Sequence, residues 1–259
     1  MLRACVLGLI LLSYIPSYGK KPETVRIPGG ELRAVWMAPM ATGKDNAKVA
    51  VPTFAVSSFE MMTRPVTRQE YQNFINKNKE WSKGQVSQLF ADEMYMNGWS
   101  TKDSPKMPAT FVSWFAAKAF CESLSMRLPT VNEWEYVAAA SETSKDANRD
   151  SAFLARILEW YGEPRTHKIK NAGSIYKNIY GVWDMHGLIW EWVDDFNSSF
   201  VTGESREDSS MDKNMFCGAG AVSSGDKENY AAFMRFAFRS GLKGNSTIWN
   251  LGFRCVRDI

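Results

Sequence analysis

Arg127-Leu128-Pro129-Thr130-Val131-Asn132-Glu133-Trp134-Glu135-Tyr136 sets out the local grammar of this chain. Pro129 breaks whatever precedes it, because it lacks an N–H and its ring clashes with the turn before it. Thr130 and Glu133 then have capping-box spacing, a hydroxyl followed three residues later by a carboxylate. Trp134, Val137 and Ala138 fall on one face, so the spacing predicts an amphipathic helix from about residue 131.

The same grammar recurs upstream. Ser113 is a good N-cap, and Trp114, Ala117, Cys121 and Leu124 share a face, which predicts a helix ending near Ser125. Thr67 and Glu70 form another capping box, and Tyr71, Phe74 and Ile75 predict a helix over residues 68–77. Between these two, residues 78–107 are polar, with Gly and Pro, and read as a long surface excursion. Val25 to Gly30 reads as a short strand into a turn, residues 31–50 as loop, and Phe54 to Phe59 as a strand.

Downstream, residues 141–151 are polar and expected to be exposed. From Tyr161 onward Gly, Asn and Ser are frequent, which favours short strands and long loops over helices. The expected class is α+β, with two or three helices, short strands and much irregular structure. Neither repeats nor a flexible linker are visible.

The start of the chain predicts export. Arg3 gives a positive start, Ala4 to Ile15 is an apolar run, Pro16 ends it, and Ser17-Tyr18-Gly19 supplies small residues for cleavage. The run is shorter than the roughly 20 residues that span a bilayer, so residues 1–19 read as a signal peptide cleaved after Gly19, the alternative being an uncleaved anchor. Residues 20–259 then form one domain, placed in a periplasm or outside the cell, with no later transmembrane segment. A net charge of +3 is too small to suggest a nucleic-acid partner. Ten Trp and fifteen Phe can hold together a chain with little regular structure.

Cys121, Cys217 and Cys255 remain after cleavage, an odd number that suggests one disulfide and one free thiol. Spacing alone does not say which pair joins, and three buried thiols are the alternative. With only His167 and His186, a His-rich metal centre is excluded, and no G-x-S-x-G nucleophile motif lies near either.

Several segments, in order, resemble one family. Val112-Ser113-Trp114 into Ala119-Phe120-Cys121, Arg127-Leu128-Pro129-Thr130 into Glu133-Trp134-Glu135-Tyr136, and Tyr180 to Gly187 into Trp190-Glu191-Trp192 are three of them. Arg239-Ser240 and Asn250-Leu251-Gly252-Phe253-Arg254-Cys255 close the series, and Ile27 to Gly30 and Pro65-Val66-Thr67 open it. Together they resemble the sulfatase-modifying-factor family, that of the formylglycine-generating enzyme. The resemblance implies a C-type-lectin-like fold and a bridge between Cys121 and Cys255, which leaves Cys217 unpaired. Closing so long a loop is worth up to roughly 5 kcal/mol.

The resemblance also implies a calcium site. Its ligands would be the carboxylates of Asp184 and Glu191 and the backbone carbonyls of Met185, Gly187 and Ile189, hard oxygens that suit this ion. Leu188 stands where the family usually has Asn. The alternative is that Asp184 caps a turn and Glu191 pairs with an arginine.

Formylglycine-generating enzymes hold copper(I) on two cysteines, and soft thiolates suit that ion. The resemblance places the pair near Ser223 and Ala231, where the chain has no cysteine; Cys217 lies before the glycines and is single. Copper is therefore not expected. The first functional expectation is an exported family member without formylglycine-generating activity that binds a glycan, a peptide or an envelope protein. The loops at 78–107 and 197–230 would supply specificity, with Ser223, Ser224 and Lys227 as candidate binding residues. The alternative is a non-copper oxidoreductase or maturation enzyme of the kind that matures a siderophore, with Asp226, Glu228 and Tyr230 in proton transfer. The third is a formylglycine-generating oxidase using Cys217.

Overall fold

The computed structural model describes residues 21–34, 52–100, 102–163, 168–197 and 227–259. The expected signal segment at 1–19 lies outside these. Strands β1 (Thr24–Ile27), β4 (Phe59–Met62) and β7 (Val256–Asp258) form an antiparallel sheet in the order β1-β4-β7. Its register pairs Val25 with Met61 and Met61 with Val256. Strands β2 (Gly30–Arg33) and β3 (Thr53–Val56) form an antiparallel pair, and β5 (Trp190–Glu191) and β6 (Leu251–Gly252) a parallel one. Strand β2 falls in a stretch expected to be loop.

Helix α1 (Arg68–Lys77) begins at its expected capping box. The Thr67 hydroxyl accepts from the Glu70 N–H, and Glu70 accepts from the Thr67 N–H at 2.8 Å. Helix α2 (Trp114–Glu122) is capped by Ser113, which accepts from the Ala116 N–H at 3.2 Å. Helix α3 (Val131–Ala138) repeats the box with Thr130 and Glu133, and Arg127 grips Glu133 with two bonds of 2.8 and 2.7 Å.

Two further helices correct the expectation of an irregular second half. Helix α4 (Ser151–Gly162) starts where Asp150 accepts from the N–H groups of Ala152 and Phe153, and it buries Phe153, Leu154 and Ile157. Helix α5 (Lys227–Ser240) packs against α4. The surface excursion also proves partly anchored: Ala91, Tyr95 and Met96 are buried. Tyr95 donates its hydroxyl to the Trp81 carbonyl at 2.9 Å, so Tyr71 donates to Tyr95 across 2.5 Å.

The core is largely aromatic. Tyr71, Phe120 and Phe253 meet with centroids 5.3–6.0 Å apart. Beside them Cys121 on α2 is bridged to Cys255, 134 positions away. This joins the middle of the chain to the strand that closes the sheet. Among the described residues no helix is long and apolar enough to cross a membrane.

Candidate functional site

Helix α3 sends Glu135 inward, and Arg235 and Arg239, one turn apart on α5, both reach it. Arg235 forks onto the carboxylate through Nε (2.9 and 3.0 Å) and Nη2 (2.7 Å), and Arg239 adds Nη1 at 2.7 Å. Burial works against the Glu135 charge, but the two guanidinium groups outweigh it and bring its pKa down to about 2. Arg239 also lies 4.9 Å from the centre of the Trp134 ring.

From this anchor Arg235 extends Nη1 to the Tyr161 hydroxyl oxygen at 3.2 Å. Burial raises the Tyr161 pKa. His186 lies alongside. Its Nε2–H donates to the Ala138 carbonyl at 3.0 Å, and Nδ1 has no partner. Burial, reinforced by the charge of Arg235, pushes His186 down to about 3, so it is a neutral imidazole. A cavity of ≈ 10 Å³ borders His186, Arg235 and Arg239, room for about one water.

Above this network an aromatic wall joins α4, β5 and α5. Trp190 stacks on Tyr161 (centroids 5.0 Å, planes 17° apart) and on Phe238 (4.5 Å, 23°), with Trp160 tilted against it at 5.2 Å. These four rings, with Leu188 and Trp249, line a groove of ≈ 780 Å³. Lys168, Lys170, Glu159 and Glu163 also border it. The groove's volume falls within the range of small-molecule clefts.

The two carboxylates expected to hold calcium have partners within the protein. Both oxygens of Glu191 bind Arg254, Oε2 to Nε at 2.8 Å and Oε1 to Nη2 at 2.7 Å, and Oε2 also accepts from the Trp134 indole at 2.8 Å. Asp184, at a positive φ of 61°, accepts the backbone N–H of Ile175 at 2.8 Å and that of Gly173. The alternative reading, Asp184 bracing a turn and Glu191 paired with an arginine, describes this geometry. Met185 and Ile189 are buried, and Gly187 takes φ 92°. Among the described residues no group of three or more His, Cys, Asp or Glu side chains could hold a metal.

Of the other candidates, Cys217, Ser223, Ser224 and Asp226, like His167, lie outside the described residues. Lys227 and Glu228 open α5, and their side chains are likewise not described. Tyr230 is 36% exposed on the first turn of that helix. Trp160, Tyr161, Arg235, Phe238 and Trp249 went unnoticed in the sequence. The four-residue spacing of Arg235 and Arg239 was the available signal, hidden by the surrounding Gly and Ser.

A disulfide-closed α+β domain with Trp190 in the wall of an aromatic groove is thus the class that fold and site define. The family profile described as sulfatase-modifying factor enzyme 1-like domain matches residues 15–259. The chain belongs to the sulfatase-modifying-factor family, whose curated members include formylglycine-generating enzymes.

The inactive C-alpha-formylglycine-generating enzyme 2 of Bos taurus is 24% identical over 285 residues, covering 92% of this chain and 89% of the relative. The formylglycine-generating enzyme of Streptomyces coelicolor is 29% identical over 171 residues, covering 60% of this chain and 54% of that enzyme. Among solved structures, CarF matches with a TM-score of 0.50 at 17% identity, over 92% of this chain and 98% of its own, a likeness of fold.

Proposed function

We propose that the chain is an exported member of its family that binds a ligand in the aromatic groove and does not generate formylglycine. The groove itself carries the reading: its walls hold Trp160, Tyr161, Trp190, Phe238 and Trp249 beside a polar rim. The cysteine count supports the negative half. Of four cysteines, Cys121 and Cys255 are tied to each other, and Cys5 and Cys217 stand far apart in the sequence. A pair of neighbouring thiolates for copper(I) is thus missing from the chain. A relative that matches along most of its length bears the word inactive in its name.

Export to a periplasm or the medium, by cleavage after Gly19, belongs to the same proposal. Two measurements test it. Mass spectrometry of the mature protein is expected to find Lys20 at the N-terminus. Incubation with copper, oxygen and a Cys-containing sulfatase peptide is expected to leave the peptide unchanged; conversion to formylglycine would refute the reading.

A further inference from the structure

Resting on that groove reading, we infer that the ligand is an uncharged oligosaccharide anchored by the Tyr161 hydroxyl. Arg235 donates to the Tyr161 oxygen at 3.2 Å. A guanidinium has no acceptor, so the phenol must give its own proton elsewhere, and no described residue takes it. Tyr161 borders the groove, and a ligand oxygen that reaches the hydroxyl from that side would take the proton. Glu135 fixes Arg235 from behind, so the donor is oriented before any ligand arrives.

The indoles extend the pattern. Trp99, Trp114, Trp134 and Trp192 each donate their ring N–H to a protein oxygen. Trp160, Trp190 and Trp249 make no such bond among the described residues, a state shared outside the groove by Trp81 and Trp183. Trp249 also makes no ring–ring contact with a described residue. Trp190 is stacked on Tyr161 and on Phe238, so the ring the groove chiefly offers is that of Trp249, together with N–H and O–H groups that no described residue engages. A saccharide matches both, with C–H faces for the electron-rich rings and hydroxyl and ring oxygens for the donors.

Charge and backbone argue against a peptide or a polyanion. On the rim Lys168 and Lys170 offset Glu159 and Glu163, and Arg156 is held by Glu142 at 2.7 and 3.0 Å. A peptide that adds a strand needs free backbone groups. Here the Trp190 N–H is taken by the Asn250 carbonyl at 2.8 Å, and the Phe238 carbonyl accepts from the Gly241 N–H at 3.3 Å.

The test titrates chitotetraose, cellotetraose and maltotetraose, with an acetylated, amidated tetra-alanine peptide alongside, into the exported chain while tryptophan emission is read. At least one saccharide is expected to give a saturable shift. Tyr161→Phe, which keeps the ring stack, is expected to weaken it about tenfold, and Trp249→Ala to abolish it, with thermal melts showing that both variants fold. Saturation unaffected by either variant would overturn the inference. Silent saccharides with a peptide shift lost in Trp249→Ala would overturn the saccharide and leave the groove reading standing. Silence from every probe would count against both.

Discussion

Glu135 and Arg235 stand a hundred positions apart in sequence and meet in a buried fork whose shortest bond is 2.7 Å. Because Arg239 shares the same carboxylate, removing that charge strands two guanidinium groups at once. Glu135→Gln is expected to lower stability by about 3–5 kcal/mol, the usual cost of breaking a buried pair from one side. Urea unfolding followed by circular dichroism would measure it; a loss under about 1 kcal/mol would mean that water reaches the fork.

His186 should make the fold acid-sensitive before any carboxylate does. It stays neutral in the fold down to about 3, whereas the unfolded chain binds a proton below about 6.5. Protons therefore favour the unfolded chain in that window, and stability falls with falling pH by up to about 1.4 kcal/mol per unit. Glu135, lowered from 4.5 to about 2, adds a loss of the same sign only below about 4.5. His186→Gln is expected to flatten the slope between about pH 6.5 and 4.5, as read from melts across a buffer series.

Reduction should weaken the domain markedly. The Cys121–Cys255 bridge spans 134 positions, and chain entropy values such a loop at up to about 5 kcal/mol, with 2–4 more typical. The double variant Cys121→Ser, Cys255→Ser should melt well below the oxidised chain. A melting temperature indifferent to dithiothreitol would show that packing alone holds the two segments together.

Chelation should do much less. Glu191 is held by Arg254 and Trp134, and Asp184 by two backbone N–H groups. The expected melting curve in EGTA overlays that in calcium. A large downward shift in EGTA would show that the ion displaces these internal donors.

At Gly252 a Cβ would sit 2.6 Å from the Ala109 carbonyl oxygen and 2.8 Å from Ile189 Cδ1. The first neighbour is backbone and cannot swing away. Gly252→Ala is expected to cost about 1–3 kcal/mol and to disturb the β5–β6 pair below the groove, visible as faster amide exchange at Trp190 and Trp192.

The parts legible in the sequence were those governed by a few neighbouring residues. Thr67 with Glu70 and Thr130 with Glu133 announce their helices because each box closes within one turn. Cys121 and Cys255 became legible as a pair only through the family resemblance, since spacing left the partners open. Helix α5 was missed because its inward face carries Arg235 and Arg239, charges that break the apolar periodicity and are neutralised by Glu135 from another helix. Helix α4 was missed because the polar stretch before it reads as loop, although Asp150 in that stretch is its cap. The groove combines Trp160 from α4, Trp190 from β5 and Trp249 from the approach to β6, so no local window contains it. Asp184 and Glu191 look free on paper, yet Glu191 finds its arginine 63 positions later.

The strand order β1-β4-β7 places β7 against one side of β4, whose other side is held by β1. Arg254 and Cys255 lie immediately before β7. Without residues 254–258 in place, β4 has one open side, Cys121 is an unsealed thiol, and Glu191 lacks its arginine. One short segment thus does three jobs at once: it adds the third strand of the sheet, supplies half of the bridge and brings Glu191 its arginine, so losing its docking would release all three together.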